Sequence, residues 1–504
     1  MQANRKVLCF LTAALFFVLQ LAAAPIKVKT AHFFVSNFEN VLGTSMEVKV
    51  KALIQKQASL AESKALAEIK RLSSILSAYD SNSEFYKWTQ TKNKAVPVSP
   101  ELFEVLRLFD VWKQKTNGAL DASSEVVSKL WKVAAKNNTV PSEIEISKSL
   151  AEINQQHWIL DAANSSATHL SSAPLMLNTF VKSYIIDKAV NAALANTGAE
   201  GMVLNIGGDI VVKGIVDEKI AITNSVASAE NDAPFSMIHV NNKVVATSGD
   251  YRRGNLINGT WYSHIVDPRT GLPAGGIASA TVIAADPSTA GAIATAFNIL
   301  TPEQSKQLAN ELPGVDYMIV TKTGAVIKSE HWKDYEVSAP TTINNSTANL
   351  FAGWNTDYEL VVNLELAQIA GFPRRPFVAI WVEDADKKPI RTLTVWYNKP
   401  KWLRDLRAWY TANHDTYNDV LGNMPSIAGA TRPAGKYSVK WDGKDDKGEF
   451  VKSGKYTINL EVAREHGTYQ LITQEIKCAG SEKQIELPAN TEVAAASLFY
   501  KKKN

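Results

Sequence analysis

The sequence predicts two folded units, an α+β domain followed by an all-β sandwich. Three observations carry that reading. Helical and strand-like periodicities are interleaved as far as residue 335. Residues 338–350 are small, polar and aperiodic, the composition of a linker. Beyond them the apolar runs are strand-like and separated by Gly and Pro turns. A length of 504 residues is itself too great for one ordinary core. The expected divisions are an export signal at 1–24, the α+β domain at 36–335, the linker at 338–350, the sandwich at 351–480 and a tail at 481–504.

Each element follows from its pattern. Residues 46–50 alternate, with Met46, Val48 and Val50 on one face and Glu47 and Lys49 on the other, as a half-buried strand does. Residues 58–78 space Leu60, Ala65, Leu66, Ile69, Leu72 and Leu76 as a helix face. A second helix over 99–116 takes Pro100 in its first turn and stops at Asn117-Gly118. A third covers 185–194, and short strands follow at 203–206, 210–212, 220–223, 237–240 and 244–247. A strand at 279–284, helices at 288–300 and 302–310 and a strand at 316–321 complete the first unit. In the second, strands are expected at 358–366, 377–383, 392–396, 437–441 and 456–463. One helix interrupts them at 401–412, where Trp402, Leu403, Leu406 and Trp409 share a face.

Composition excludes some functions. A formal charge of +4, with no basic run longer than Lys501, Lys502 and Lys503, offers no nucleic-acid surface. Arg5 and Lys6 precede an apolar run at 7–21 that ends in Ala22, Ala23 and Ala24, the pattern of a secretory signal. That run is shorter than the ~20 residues that span a bilayer, so membrane attachment would require the signal to stay uncleaved. Cys9 lies in the signal, which leaves Cys478 alone in the mature chain with no intramolecular disulfide. Export without a cysteine framework points to the periplasm or the outer face of the inner membrane.

The chemistry-bearing segments are Leu42-Gly43-Thr44, Ser77-Ala78-Tyr79, Thr116-Asn117-Gly118-Ala119-Leu120-Asp121, Asn205-Ile206-Gly207-Gly208-Asp209, Thr247-Ser248-Gly249-Asp250 and His264-Ile265-Val266-Asp267-Pro268-Arg269-Thr270-Gly271. Each has a plain structural reading: Gly207-Gly208 is a turn, Asp267-Pro268 opens a type I turn, and Asp121 caps the next helix. In this order and spacing they resemble the ApbE family of FAD:protein FMN transferases. The resemblance implies that FAD is the substrate and Mg²⁺ the cofactor. It implies that Leu42, Tyr79, Ala119, Leu120, Asp121, Lys182, Tyr184, Gly207, Gly208, His264 and Ile265 hold FAD. It places His264 and Asp267 at the chemistry, and a neutral imidazole can accept the proton of an attacking hydroxyl.

The resemblance also implies a Mg²⁺ site made of a backbone carbonyl matching Val181 and a helix of pattern A-D-x-x-A-T, matched here through Ala294 and Thr295. Two positions depart from the pattern. Gly291 stands where the family has the Asp, and the family's A-K-G-Y reads Val181-Lys182-Ser183-Tyr184. Either Asp286, Asp250, a water or the substrate phosphates fill the place of that Asp, or the domain binds flavin without transferring it efficiently.

In the second unit, Trp441-Asp442-Gly443, Gly448 and Gly454-Lys455-Tyr456 resemble the immunoglobulin-like modules of flagellar hook-capping proteins. The partner implied for the whole chain is an exported flavin-acceptor protein with a D-x-x-[ST]-G-A-[ST]-like motif. Ala428-Gly429-Ala430-Thr431 resembles the end of that motif, which makes the chain's own Thr431 a candidate acceptor, although Pro425 stands where Asp is expected.

Overall fold

The fold is that of a computed structural model, which describes residues 30–223, 229, 231–232, 234–250, 253–337, 353–367, 375–397, 400–413, 428–429, 434–464 and 467–503. The expected signal at 1–24, the linker at 338–350 and Thr431 lie outside the described residues.

The first unit is built on one antiparallel sheet of eight strands. In chain order these are β1 (His32–Val41), β2 (Thr44–Ala52), β3 (Gly201–Ile206), β4 (Asp209–Gly214), β5 (Val244–Gly249), β6 (Ile277–Ala284), β7 (Asp316–Thr321) and β8 (Val326–Lys328), and they lie side by side in that same order. The main helices are α1 (Gln55–Leu76), α2 (Pro100–Lys115), α3 (Glu125–Asn137), α4 (Glu143–Ile153), α5 (Val181–Leu194) and α6 (Pro287–Ile299). Helices α1, α2, α5 and α6 share a core with Met46, Val48, Val50, Leu204 and Val282 on one face of the sheet. Against the other face pack Ile220, Ile238, Val240 and Trp332, from the hairpin of Asp217–Ile222 and Ser236–Asn241 and the turn that follows β8. All eight residues of β6 are therefore buried, as a strand covered on both faces requires.

Helix α1 buries Ala65, Ile69, Leu72 and Leu76 of the expected face and departs from it at Leu60 and the half-buried Leu66. Leu60 is exposed, and the buried row is Ala58, Ala61, Ala65, Ile69, Leu72 and Leu76. Its neighbour α5 buries Ala189 and Ala193, so small residues on both helices let the backbones come close. Each fully buried Leu of such a row stabilises the fold by about 2 kcal/mol.

The second unit is a sandwich of β9 (Tyr358–Leu366), β10 (Phe377–Glu383), β11 (Pro389–Trp396), β12 (Gly435–Trp441), β13 (Gly454–Ala463), β14 (Tyr469–Cys478), β15 (Lys483–Leu487) and β16 (Val493–Lys502). One sheet runs β12-β9-β16-β15; the other runs β11-β10-β13-β14, with Ala428–Gly429 added in parallel beside β11. The aromatic rings of Trp354, Trp441, Tyr456 and Tyr500 fill one end of the core. The tail expected at 481–504 is a correction: β15 and β16 belong to the sandwich, and β16 lies between two other strands. Val493, Ala496, Leu498 and Tyr500 are buried there, while the lysines that end the chain give it the look of a solvated tail. The expected helix at 401–412 is a 3₁₀ turn (Pro400–Asp405) followed by a short helix (Arg407–Asn413), whose first N–H groups at Ala408 and Trp409 donate to the buried Glu461 carboxylate.

Candidate functional site

Two tight turns meet at one end of the sheet. Val41 pairs with Thr44 around Leu42 (φ +50°) and Gly43 (φ +77°), and Ile206 pairs with Asp209 around Gly207 (φ +58°) and Gly208 (φ +95°). Positive φ at both central residues is the type I′ geometry that suits the twist of a hairpin. The turns touch, because the Gly207 N–H donates to the Ser45 carbonyl at 3.1 Å. Lys182, near the start of α5, reaches the same place, with Nζ 3.4 Å from the Gly207 carbonyl and 3.4 Å from Asp209 Oδ2. Leu42, Lys182, Gly207 and Gly208 are thus brought together; the Gly207 and Gly208 N–H groups donate to the Ser45 carbonyl and Asn205 Oδ1, so the positive charge at the turns is the half-exposed Lys182 ammonium.

A second cluster forms around the segment that ends in Gly271. The Asp267 carbonyl accepts from the Gly271 N–H at 2.8 Å, and the Trp131 indole of α3 donates to the Gly271 carbonyl at 2.9 Å, which pins the turn to the domain. Gly118 lies against the Arg269 side chain, so the Thr116–Asp121 segment adjoins this turn. A cavity of about 310 Å³ opens beside it, lined by Ser128, Lys132, Arg253, Asn255, Trp261 and His264. His264 Nδ1 lies 2.9 Å from the Arg253 carbonyl. A carbonyl only accepts, so Nδ1 carries the hydrogen and Nε2 carries the lone pair of a neutral ring. Desolvation holds the imidazole below its ordinary range, outweighing the bond to Arg253, which favours the charged form.

The two clusters are joined by residues 176–180, a segment that sequence reasoning left unassigned. Met176 N–H donates to the Ala122 carbonyl at 2.8 Å, Asn178 donates to the Tyr79 hydroxyl at 2.8 Å, and the Thr179 carbonyl accepts from Thr295 Oγ1 at 3.2 Å. Tyr79 is 75% exposed, so its ring has a free face for stacking. Lys132, Arg253 and Asn178 were the functional candidates that sequence reasoning missed. For Lys132 and Asn178 the signal was a polar side chain inside an apolar segment; Arg253, in a polar stretch, gave none.

Several expected site residues are otherwise engaged. The Asp267 carboxylate is committed to its own turn, accepting from the Arg269 backbone N–H and guanidinium at 2.8 to 2.9 Å. Asp121 caps the 3₁₀ turn that precedes α3, accepting from Ser123 N and Oγ, and lies 2.6 Å from Lys113 Nζ; its carboxylate is buried beside a second cavity of about 380 Å³. Ala119 and Leu120 are buried, so their side chains are part of the core. Ile265 is half-buried and its carbonyl accepts from Ala274 N–H. Tyr184 is buried too, and its hydroxyl donates to Glu104 of α2 at 2.7 Å, leaving no ring face open.

The residues expected to hold Mg²⁺ do not fit one. Gly291 has no carboxylate, and a Cβ built there would lie 2.6 Å from Ser183 Oγ. Thr295 donates its hydroxyl hydrogen to the Thr179 and Gly291 carbonyls, which leaves its oxygen as a neutral donor without the charge of the missing carboxylate, and the Ala294 carbonyl accepts from Asn298 Nδ2 at 2.8 Å. The alternative carboxylates are occupied: Asp286 caps α6 by accepting from Thr289 N–H at 2.6 Å, and Asp250 Oδ2 lies 2.8 Å from Lys322 Nζ. Among the described residues no group of three His, Cys, Asp or Glu side chains is placed to hold a metal.

Comparison with known proteins agrees with this architecture. The ApbE family profile matches residues 42–319, more than half of the sequence, and the chain belongs to the ApbE family. A second profile, described as a predicted periplasmic protein (DUF2271), matches residues 359–495 in the sandwich. The FAD:protein FMN transferase of Vibrio cholerae is 29% identical over 313 residues, which cover 59% of this chain and 89% of that one. The FAD:protein FMN transferase of Escherichia coli K12 is 25% identical over 355 residues, covering 67% of this chain and 99% of that one. The crystal structure of the ApbE protein of Thermotoga maritima, 28% identical, superposes with a TM-score of 0.54 over 61% of this chain and all of its own. Among the described residues no helix is long and apolar enough to cross a membrane.

Proposed function

We propose that this chain transfers FMN from FAD to a Thr or Ser hydroxyl of an exported acceptor protein. The acceptor oxygen attacks the FMN-side phosphorus, the bond from that phosphorus to the bridging oxygen breaks, and AMP leaves with that oxygen. The hydroxyl proton passes to His264 Nε2, and FMN remains in phosphoester linkage. The single observation that carries the reading is the tautomer of His264, held by the Arg253 carbonyl so that a neutral ring offers Nε2 to the cavity. Lys182 places positive charge at the paired glycine turns, where phosphate oxygens gain from it. The names of the relatives support the same chemistry, and the periplasmic description of the sandwich family supports an exported acceptor; its D-x-x-[ST]-G-A-[ST]-like motif is what the family resemblance implies.

A second reading rests on Gly291: a flavin-binding or electron-transfer accessory that does not turn FAD over. Incubating the purified protein with FAD and motif-bearing acceptors, and following AMP release together with acceptor mass, separates the two. Transfer gives AMP and an FMN-sized increment in equal amounts. Tight FAD binding with neither product overturns transfer in favour of the accessory. Comparing the intact mass of wild type with Thr431→Ala tests the chain's own Thr431 as acceptor.

A further inference from the structure

The two departures from the family pattern are in contact. Ser183 lies on α5 and Gly291 on α6, 108 positions apart in the sequence, yet an added Cβ at 291 would meet Ser183 Oγ at 2.6 Å and the Phe180 Cα and Cβ at 3.2 and 3.3 Å. Real Cβ atoms do not approach a hydroxyl oxygen that closely, so a carboxylate at 291 and a hydroxymethyl at 183 exclude each other in this packing. Ser183 is fully buried and its hydroxyl donates to Asp209 Oδ2 at 2.8 Å. Asp209 is in turn 3.4 Å from Lys182 Nζ. The side chain lost from α6 is thus matched by one gained on α5, and the gained hydroxyl is fixed by a carboxylate that Lys182 already balances.

We infer that Ser183 and Gly291 are a compensating pair that closes the divalent-cation seat between α5 and α6, leaving this chain to hold its dinucleotide with no cation there. The chemistry is consistent with the charges present. A divalent cation needs hard anionic oxygens at a fixed separation, whereas here the Asp209 carboxylate is shared between a hydroxyl and an ammonium. The Thr295 hydroxyl points its hydrogen at carbonyls, which stabilises the α6 turn without any ion. Phosphate charge is then met by the half-exposed Lys182 ammonium at the glycine turns. The part of this inference that concerns FAD rests on the proposed function; the closure of the seat does not.

Four proteins test it: wild type, Ser183→Gly, Gly291→Asp, and the double variant Ser183→Gly/Gly291→Asp. Thermal melts without flavin, in Mg²⁺ and in EDTA, read the seat, and calorimetric titration with FAD under both conditions reads the ligand. The wild type is expected to melt at the same temperature in both buffers and to change its FAD affinity by less than about threefold. Gly291→Asp alone should melt lower than wild type. The double variant should recover more than half of that loss and melt higher in Mg²⁺ than in EDTA. The inference is overturned if Mg²⁺ raises the melting temperature of the wild type, if it tightens wild-type FAD binding by about tenfold or more, or if Gly291→Asp melts no lower than the double variant. Failure to bind FAD at all would remove the flavin reading, while the melts would still decide whether the seat is closed.

Discussion

The side-chain amide of Asn231 makes both hydrogen bonds of a neighbouring strand to the backbone of Lys440, accepting from its N–H at 2.7 Å and donating to its carbonyl at 2.6 Å. Lys440 lies on β12, the outermost strand of its sheet, whose unpaired backbone groups would otherwise face solvent or another chain. Asp232, the next residue, lies 3.0 Å from Lys440 Nζ. An edge of the sandwich is thereby capped by a turn of the first unit, through complementary polar groups.

That contact predicts an order of variants. Asn231→Ala loses two hydrogen bonds, each contributing about 1 kcal/mol. Asn231→Asp keeps the acceptor but turns a carboxylate oxygen toward the Lys440 carbonyl, so it should destabilise at least as much as the alanine. Denaturant midpoints measured on the full chain check this; an Asn231→Asp protein as stable as wild type would show that the clasp contributes nothing.

The pH dependence of transfer follows from His264. Its base form is the neutral ring, and desolvation holds its pKa below the usual imidazole value of ~6.5. Activity should therefore be full at pH 7 and fall only as pH drops through that lowered value, when the imidazolium can no longer accept a proton. His264→Gln should lower kcat by roughly 10²- to 10⁴-fold with little change in KM for FAD, and should abolish that acid limb. A profile of kcat/KM against pH for both proteins is the measurement. An acid limb that persists unchanged in His264→Gln would mean that another group takes the proton.

How much of this was legible in the sequence depended on range. Alternation located β2 and helical spacing located α1, because each is a local property of the residues that define it, and Pro100 and Asn117-Gly118 marked the ends of α2. Helices α3 and α4 were not read, although Ser142 and Glu145 form the capping box that opens α4, since Glu143-Ile144-Glu145-Ile146 alternates like a strand. Leu42, Lys182 and the paired glycines, far apart in the sequence, are neighbours in the fold, and both turns use conformations that few residues adopt. The direction of a helix face escapes local patterns. Tyr184 turns inward because Glu104, far away in sequence, accepts its hydroxyl. The Ser183–Gly291 contact was invisible for the same reason: each residue reads as a separate departure until α5 and α6 are packed together.

The meeting of the two hairpin turns predicts a coupled pair at Thr44 and Gly207. Gly207 has φ +58°, and a Cβ there would lie 2.7 Å from Thr44 Cγ2 and 2.9 Å from its Oγ1. Gly207→Ala should therefore combine left-handed backbone strain of about 1 kcal/mol or more with a clash that pushes β2 away from the β3–β4 turn. Gly208 has φ +95°, but its added Cβ would come no closer than 4.0 Å, to the Thr247 carbonyl, so Gly208→Ala carries the backbone strain without the clash. Thr44→Ala removes both atoms that Gly207→Ala would strike. The double variant Thr44→Ala/Gly207→Ala should then be more stable than the two separate losses predict, whereas Thr44→Ala should give no relief to Gly208→Ala. Thermal melts of the five variants decide the point: equal rescue of both alanines by Thr44→Ala would mean that the turns do not meet as described, and that Lys182 is brought to Gly207 by some other contact.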